Sequence, residues 1–359
     1  MVTIVYAFRN RDALRVKASL DSLQQQTHPD FKVVFVDYGS ETNLALEIEK
    51  LIGNYSFANY YYVPSTTLLW NKSKALNSGI SKATTPFVFI ADVDLIFHQN
   101  TVALFHKIAN ADKAMLFKLG YLTKEESQKI ETPIAFENLK PKHFGYVNGM
   151  VLCSKKALEQ INGYDTFFHF YGSEDVDLYA RLEHAGITIE QREEAYFFHN
   201  WHVIYNSYND EVMSKTPRLY NVKRINQQHY FFHQQHKIIV PFNQEEFGTV
   251  VKKEDQEQLL QPTKIVELPN IHAVVHHFIC VQLPTFKNEI VKITIQEDAY
   301  YRSLKHYLKK LLKKQSQPYV SIKQVNDLLL TEILYRYKHH NYAYEISDDL
   351  KKVIFTIKL

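Results

Sequence analysis

Two aspartates, Asp92 and Asp94, follow the apolar run Phe87–Ala91 with only Val93 between them. On an extended chain they would point to the same face. At a strand end the chain can turn, so that one carboxylate ligates a metal and the other meets a ribose or a water. Such hard oxygen ligands suit Mg2+ or Mn2+, although an Asp-x-Asp pair on a turn also occurs simply as solvated carboxylates. His199 and His202 stand three apart just beyond the apolar run Tyr196–Phe198, a spacing that lets both reach one metal ion. In a chain with 17 histidines an ordinary surface or core pair is the equal alternative. Glu174-Asp175 open a helical stretch, where the dipole favours ionised carboxylates. The pair serves either as a general base or only as good helix-start chemistry, and Asp177 reads as structural. Arg9, Arg11, Lys72 and Lys74 bracket strand ends, as charge-assisted donors to phosphate or as solvated surface charges.

The elements that must hold these groups show in the first half of the chain. Thr3–Phe8, Lys32–Val36, Tyr60–Val63 and Phe87–Ala91 read as short buried strands; Asp12–Gln26, Leu44–Ile52 and Asn71–Lys82 carry helical spacing. This alternation predicts an α/β fold, a mostly parallel sheet with helices on both faces. Ligands bind such sheets beyond the carboxyl ends of the strands, and Asp37 and the Asp92/Asp94 pair both sit there. The pattern is weak between Lys113 and Lys142. A second organised stretch starts at Tyr146, with Asn148-Gly149, a strand over Met150–Cys153, a helix over Ser154–Ile161 and the turn Asn162-Gly163-Tyr164. Another helix follows Gly172, with Ser173 as its N-cap, and closes at Gly186.

From about Tyr230 the character changes. Lys237–Val240, Val274–Val281 and Ile290–Ile295 read as strands, and Tyr300–Lys314 and Asn326–Lys338 as helices. The expected division is a domain over 1–229 and a smaller mixed α+β appendage over 230–359. In Tyr300–Lys314, Leu304, Tyr307, Leu308, Leu311 and Leu312 share one face, and Arg302, Lys305, Lys309, Lys310, Lys313 and Lys314 occupy the rest. The favoured reading turns the leucines to a core and the lysines to water. The other makes the helix a peripheral contact with an anionic membrane.

Composition narrows the class. With 359 residues, 45% hydrophobic, Gly 10 and Cys 2, the chain is neither disordered nor a collagen or disulfide scaffold. Its 42 basic and 39 acidic residues argue against a nucleic-acid partner. Cys153 and Cys280 show no metal spacing and read as buried thiols in a reducing compartment. No secretory pattern precedes Val2–Phe8, and no run approaches the roughly 20 apolar residues of a membrane span, so a soluble chain is expected.

Taken in order, Ala7-Phe8-Arg9-Asn10-Arg11, Asn71–Asn77, Phe89–Ile96, Ile161–Tyr164 and Gly172–Asp177 resemble the β-1,4-galactosyltransferase type of inverting GT-A glycosyltransferase and the similar bacterial polysaccharide glycosyltransferases. The resemblance spans roughly residues 1–205; the rest resembles no family. It implies a GT-A, Rossmann-like sheet, Mn2+ (or Mg2+) as cofactor and a UDP-sugar as donor. It implies that Asp37 contacts uridine, that Asp92 lies by the ribose and diphosphate, and that Asp94 and His202 ligate the metal. His199 stands where the animal enzymes carry a methionine ligand. Phe8, Arg9, Arg11, Lys72, Lys74, Val93, Tyr146 and Gly172 fall on the nucleotide-sugar side. Tyr171 replaces a tryptophan that meets donor and acceptor. Glu174 would hold the acceptor and Asp175 would be the catalytic base. The implied acceptor is a glycan or lipid-linked glycan in bacterial surface-polysaccharide synthesis, with the enzyme in the cytoplasm or at the inner face of the membrane, and galactose or N-acetylgalactosamine as the first choice of sugar.

Two other classes are compatible with an α/β chain of this kind. A sugar-nucleotide pyrophosphorylase wants a glycine-rich phosphate loop after the first strand, and Tyr6–Arg11 holds no glycine. A non-catalytic glycan- or nucleotide-binding protein on the same fold has no need of the full Asp92/Asp94, Glu174/Asp175 and His202 set.

Overall fold

The computed structural model describes residues 1–146, 149–203, 205–242, 245–312, 314 and 317–359; Asn148 and Lys313, and the side chain of Lys310, lie outside what it describes. The chain divides into two compact units. One takes Met1–Thr66, Trp70–Ile204 and Lys223–Val250, the other Thr67–Leu69, Tyr205–Val222 and Val251–Leu359. Residue 229, the end of the first domain expected from the sequence, falls inside the helix Val222–Gln235.

The first unit is built on β1 (Val2–Phe8), β2 (Phe31–Tyr38), β3 (Ala58–Val63), β4 (Phe87–Ala91), β5 (Leu95–Phe97), β6 (Lys113–Phe117), β7 (Leu119–Tyr121), β8 (His143–Gly145), β9 (Val151–Ser154), β10 (Thr188–Arg192) and β11 (Phe197–His199). Seven of these form one sheet in the order β10-β6-β9-β4-β1-β2-β3. β9 alone runs antiparallel to its neighbours. β1 and β2 are near-continuous runs of buried residues, as strands covered on both faces require. The helix Lys72–Lys82 is started by Asn71, whose side chain accepts from the amide of Lys74 at 2.8 Å. It lies so close to β1 that a Cβ on Gly79 would meet Cγ1 of Val5 at 2.4 Å. A second sheet, β5-β11-β7-β8, leaves the carboxyl end of β4.

The other unit holds β12 (Lys264–Pro269), β13 (Ile290–Gln296), β14 (Tyr342–Ile346) and β15 (Lys352–Lys358) in the order β12-β13-β15-β14. The helix Ile322–Glu332 starts with a capping box between Ser321 and Gln324.

Several expectations need correction. The weak stretch 113–142 contains β6 and β7, each too short to show a period. Val274–Val281 is not a strand: it forms the helix His272–His277 and the wider turn Phe278–Gln282. Its buried residues Val275, Phe278 and Ile279 follow helical spacing, and the β-branched content masked it. Lys237–Val240 is not a strand but the turn that follows the helix Val222–Gln235, with Lys237 at φ 48° and the Ile238 amide bonded to the His233 carbonyl at 3.0 Å. Ser173 occupies the cap position, but in a left-handed conformation and with no side-chain cap bond. Cys153 is buried, with its thiol pushed up to about 12 by burial, whereas Cys280 is exposed. Leu304, Tyr307, Leu308, Leu311 and Leu312 are exposed rather than turned to a core.

Candidate active site

β4 delivers Asp92, Val93 and Asp94 to the carboxyl edge of the main sheet. β5 then begins at Leu95 and pairs antiparallel with β11, so that Leu95 faces His199. The Asn200 amide donates to the Asp94 carbonyl at 2.8 Å. This register brings together two motifs far apart in sequence. Nε2 of His202 lies 3.0 Å from Oδ2 of Asp94, and Nε2 of His199 lies 3.7 Å from Oδ1.

The chemistry of this trio demands a cation. Nδ1 of His202 is 2.9 Å from the Val203 carbonyl, which can only accept, so that nitrogen carries its hydrogen. A neutral ring would then present a bare Nε2 to a carboxylate, two acceptors face to face. Either a second proton on His202 or a metal ion resolves the conflict. The hydrogen bond with Asp94 accordingly raises the His202 pKa. Burial pushes the Asp94 carboxyl up, but the His202 bond and the charges of His199, His202 and Arg15 outweigh it and hold Asp94 below the ordinary range. Oδ1 of Asp94 is buried with no hydrogen-bond partner among the described residues. The three ligand atoms lie within 4.8 Å of one another. The carbonyl bond of His202 orients its ring as outer-sphere bonds do at metal sites. The residues therefore fit a divalent cation.

Next to this trio lies a charge cluster. Nζ of Lys72 is 2.7 Å from Oδ1 of Asp92 and 3.9 Å from Oε1 of Glu174. Burial opposes the Lys72 charge, but Asp92 and Glu174 outweigh it and keep the ammonium protonated well past its usual range. Glu174 also accepts from the Gly172 amide at 3.1 Å, which ties it to the loop before its own helix. Asp175 accepts from the Val176 amide at 2.9 Å. Burial raises both carboxyls, and Lys72 pulls both down. A Cβ on Gly149 would stand 3.3 Å from Nζ of Lys72 and 3.8 Å from Oδ2 of Asp92, so the glycine leaves room for this pair.

Each of the other expected residues has surroundings of its own. Asp37 is fully buried; its oxygens accept from the Ser40 amide at 2.8 Å and the Tyr60 hydroxyl at 2.9 Å, so it braces the turn after β2. The rings of Phe8 and Phe35 pack with centroids 5.3 Å apart, and Phe8 and Val93 both belong to the hydrophobic core. Arg9 donates to the Thr66 carbonyl at 2.7 Å, Arg11 is exposed, and Lys74 pairs with Glu245 at 2.8 Å. Tyr146 bonds Glu193 through its hydroxyl. Tyr171 is exposed beneath the Lys223 ammonium, which sits 4.9 Å from the ring centre, and Gly172 follows it at φ 99°. Tyr121 carried no sequence signal, yet its ring is 5.3 Å from that of His199, and burial and the charges of Asp92, Tyr171 and Asp94 raise its hydroxyl pKa.

Residues 3–161 match the family described as glycosyl transferase family 2. That match covers less than half of the chain. An overlapping match, to the family described as the N-terminal domain of galactosyltransferase, covers residues 133–203 of the same glycosyltransferase unit and so takes in Asp175, His199 and His202. No protein with a curated description matches the chain. Among solved structures, the glycosyltransferase chain is similar to residues 1–349 of TarS from S. aureus, with 18% identity over 55% of this chain and 60% of that one and a TM-score of 0.41. It is also similar to the mannosyltransferase PcManGT from Pyrobaculum calidifontis, solved with GDP-Man and Mn2+, with 18% identity over 66% of this chain and 64% of that one and a TM-score of 0.42. The chain thus spans less than two thirds of the length of either.

Proposed function

We propose that this glycosyltransferase is metal-dependent and inverting, and that it moves a hexose or N-acetylhexosamine, galactose or N-acetylgalactosamine first, from a UDP-sugar to a glycan hydroxyl. The observation that carries the reading is the meeting of Asp94, His199 and His202 at the end of β4, joined through Val93 to the Asp92–Lys72–Glu174 cluster. The donor class rests on the resemblance of the five motifs named above.

In this reading Asp94, His199 and His202 hold Mn2+, which would supply Lewis-acid stabilisation for the departing diphosphate. Lys72 adds a fixed positive charge beside Asp92 where negative charge develops. Glu174 holds the acceptor, and its bond to the Gly172 amide keeps it oriented. Asp175 accepts the proton as the acceptor oxygen bonds to the anomeric carbon. The bond from that carbon to the diphosphate oxygen breaks on the opposite face, and UDP leaves with the electron pair. Attack opposite to departure inverts the anomeric configuration and needs no covalent enzyme intermediate.

The test is slow donor hydrolysis. The full chain with Mn2+ and a panel of UDP- and GDP-sugars is expected to release UDP from one sugar nucleotide. Chelation and Asp94→Ala should both abolish that release. Release of GDP instead would overturn the donor class. Silence across the panel, with no UDP binding by calorimetry in Mn2+, would favour a binding protein.

We also propose that the exposed leucine face of the helix Leu304–Leu311, flanked by Lys305 and Lys309, docks on an anionic lipid surface where a lipid-linked acceptor would lie. No helix among the described residues is long and apolar enough to cross a membrane. A cytoplasmic location at the inner face of a bacterial membrane is part of this proposal.

A further inference from the structure

A second cluster, sharing no residue with the first, lies where the turn after Gly163 meets the helix Val222–Gln235. Nε2 of His229 is 2.7 Å from Oδ2 of Asp165, and Nε2 of His233 is 3.7 Å from the same oxygen. The three ligand atoms lie within 4.8 Å of one another. The histidines are four apart, on one face of the helix.

The surroundings are those of a metal site. Nδ1 of His233 lies 2.7 Å from Oδ1 of Asp177, whose other oxygen receives Nε of Arg181 at 2.7 Å. Asp177 and Arg181 are fully buried, and Arg181 is fixed in turn by the carbonyls of Ile161 at 3.0 Å and Gly163 at 2.8 Å. This carboxylate–histidine pair turns Nε2 of His233 toward Asp165. That nitrogen is buried and has no hydrogen-bond partner among the described residues. Oδ1 of Asp165 is taken by the Phe167 amide at 2.8 Å, which leaves Oδ2 for the histidines. The His229 ring is held flat against Phe167, with centroids 3.8 Å apart. A hydrogen-bond network alone leaves the His233 nitrogen unpaired; a cation uses all three atoms. A tetrahedral ion with bonds of about 2.0–2.1 Å keeps its ligand atoms roughly 3.3 Å apart. The observed separations of 2.7 and 3.7 Å bracket that value.

We propose that Asp165, His229 and His233 form a second divalent-cation site, structural in kind, that takes Zn2+. Two imidazoles and one carboxylate suit zinc, and the half-exposed His229 leaves the fourth position to solvent. The ion fastens the helix Val222–Gln235 to the Asp165 turn. The same helix carries Asn226, whose amide donates to the carbonyls of His169 and Tyr171, both at 3.1 Å. The site therefore also steadies the loop that leads into Gly172 and Glu174.

Metal uptake here is separable from sugar transfer. In full-length Asp94→Ala/His202→Ala protein, which lacks the first cluster, Co2+ is expected to bind at one equivalent with the intense visible absorption of a tetrahedral site. Zn2+ should displace it and raise the melting temperature. His229→Ala and His233→Gln in that background should each abolish uptake. Absence of binding in the Asp94→Ala/His202→Ala protein, or binding unchanged by the two histidine substitutions, overturns the proposal. Should these variants not fold, wild-type protein settles the matter: two equivalents of bound metal, falling to one in His229→Asn, support it, and one equivalent unaffected by His229→Asn refutes it.

Discussion

Asp175 and Glu174 are lifted by burial, and the ammonium of Lys72 pulls both back. A lifted carboxylate is a better base but ionises later, so the transfer rate should fall as pH drops through a value above the ordinary carboxylate range. Lys72→Met removes the positive charge that lowers both groups and should move that acid limb to higher pH. A pH profile of kcat for the two proteins checks the sign; an unmoved or lowered limb would exclude Asp175 as the base. Asp175→Asn should cost about 10²–10⁴-fold in kcat, the range for losing a general base, with calorimetric binding of UDP and Mn2+ unchanged. At this scale the sequence showed residue types well and partners poorly. Asp92, Asp94, Glu174 and the two histidines stood out because acids and imidazoles at strand ends and helix starts are the groups that can ligate a metal or accept a proton. Asp37 stood out for the same reason, yet Ser40 and Tyr60 engage both its oxygens. No local pattern reports such long-range pairing, nor the reach of Tyr121 toward His199.

Elements decide whether those side chains meet. The helix that begins at Lys72 must lie flush on β1 for its ammonium to reach Asp92, and Gly79 permits the approach. Gly79→Ala drives a methyl group into Val5 at 2.4 Å, and neither backbone can yield without disturbing the sheet. Overpacking of this kind costs about 1–3 kcal/mol. Gly53, with φ −58° and nothing nearer than 3.5 Å to an added Cβ, is the control. Gly53→Ala should be neutral or stabilise by about 0.4–1 kcal/mol. Chemical denaturation of both variants tests the contrast, and equal midpoints would contradict the close packing. Long strands and helices were legible because a period needs length to show. β5, β7 and β11, three residues each, have none. They nevertheless create the register that joins Asp94 to His199: the motifs named the ligands, and the fold supplies the distances between them.

On the scale of the whole molecule, the two units differ in how much the sequence disclosed. The first carries ordered motifs of a known family, and the second resembles no family. Its most unusual surface is the helix Leu304–Leu311, where Leu304 is 74% exposed and Leu311 61%. A helix that served only its own unit would bury that face, since a fully buried leucine contributes about 1.5–3 kcal/mol. Insertion into a lipid interface recovers part of that burial, and each lysine near an anionic surface adds about 1 kcal/mol. Leu304→Ser/Leu308→Ser/Leu311→Ser in the full chain should weaken binding to vesicles containing anionic lipid about 100-fold, a loss of about 0.9 kcal/mol per leucine after partial insertion. Because the face is already exposed, the melting temperature should hold. Lys305→Gln/Lys309→Gln should weaken binding less, and high salt should erase the difference. Wild-type protein that ignores anionic vesicles at low salt would refute lipid docking outright. A fall in melting temperature matching the loss of binding would assign the leucines to the protein's own packing instead.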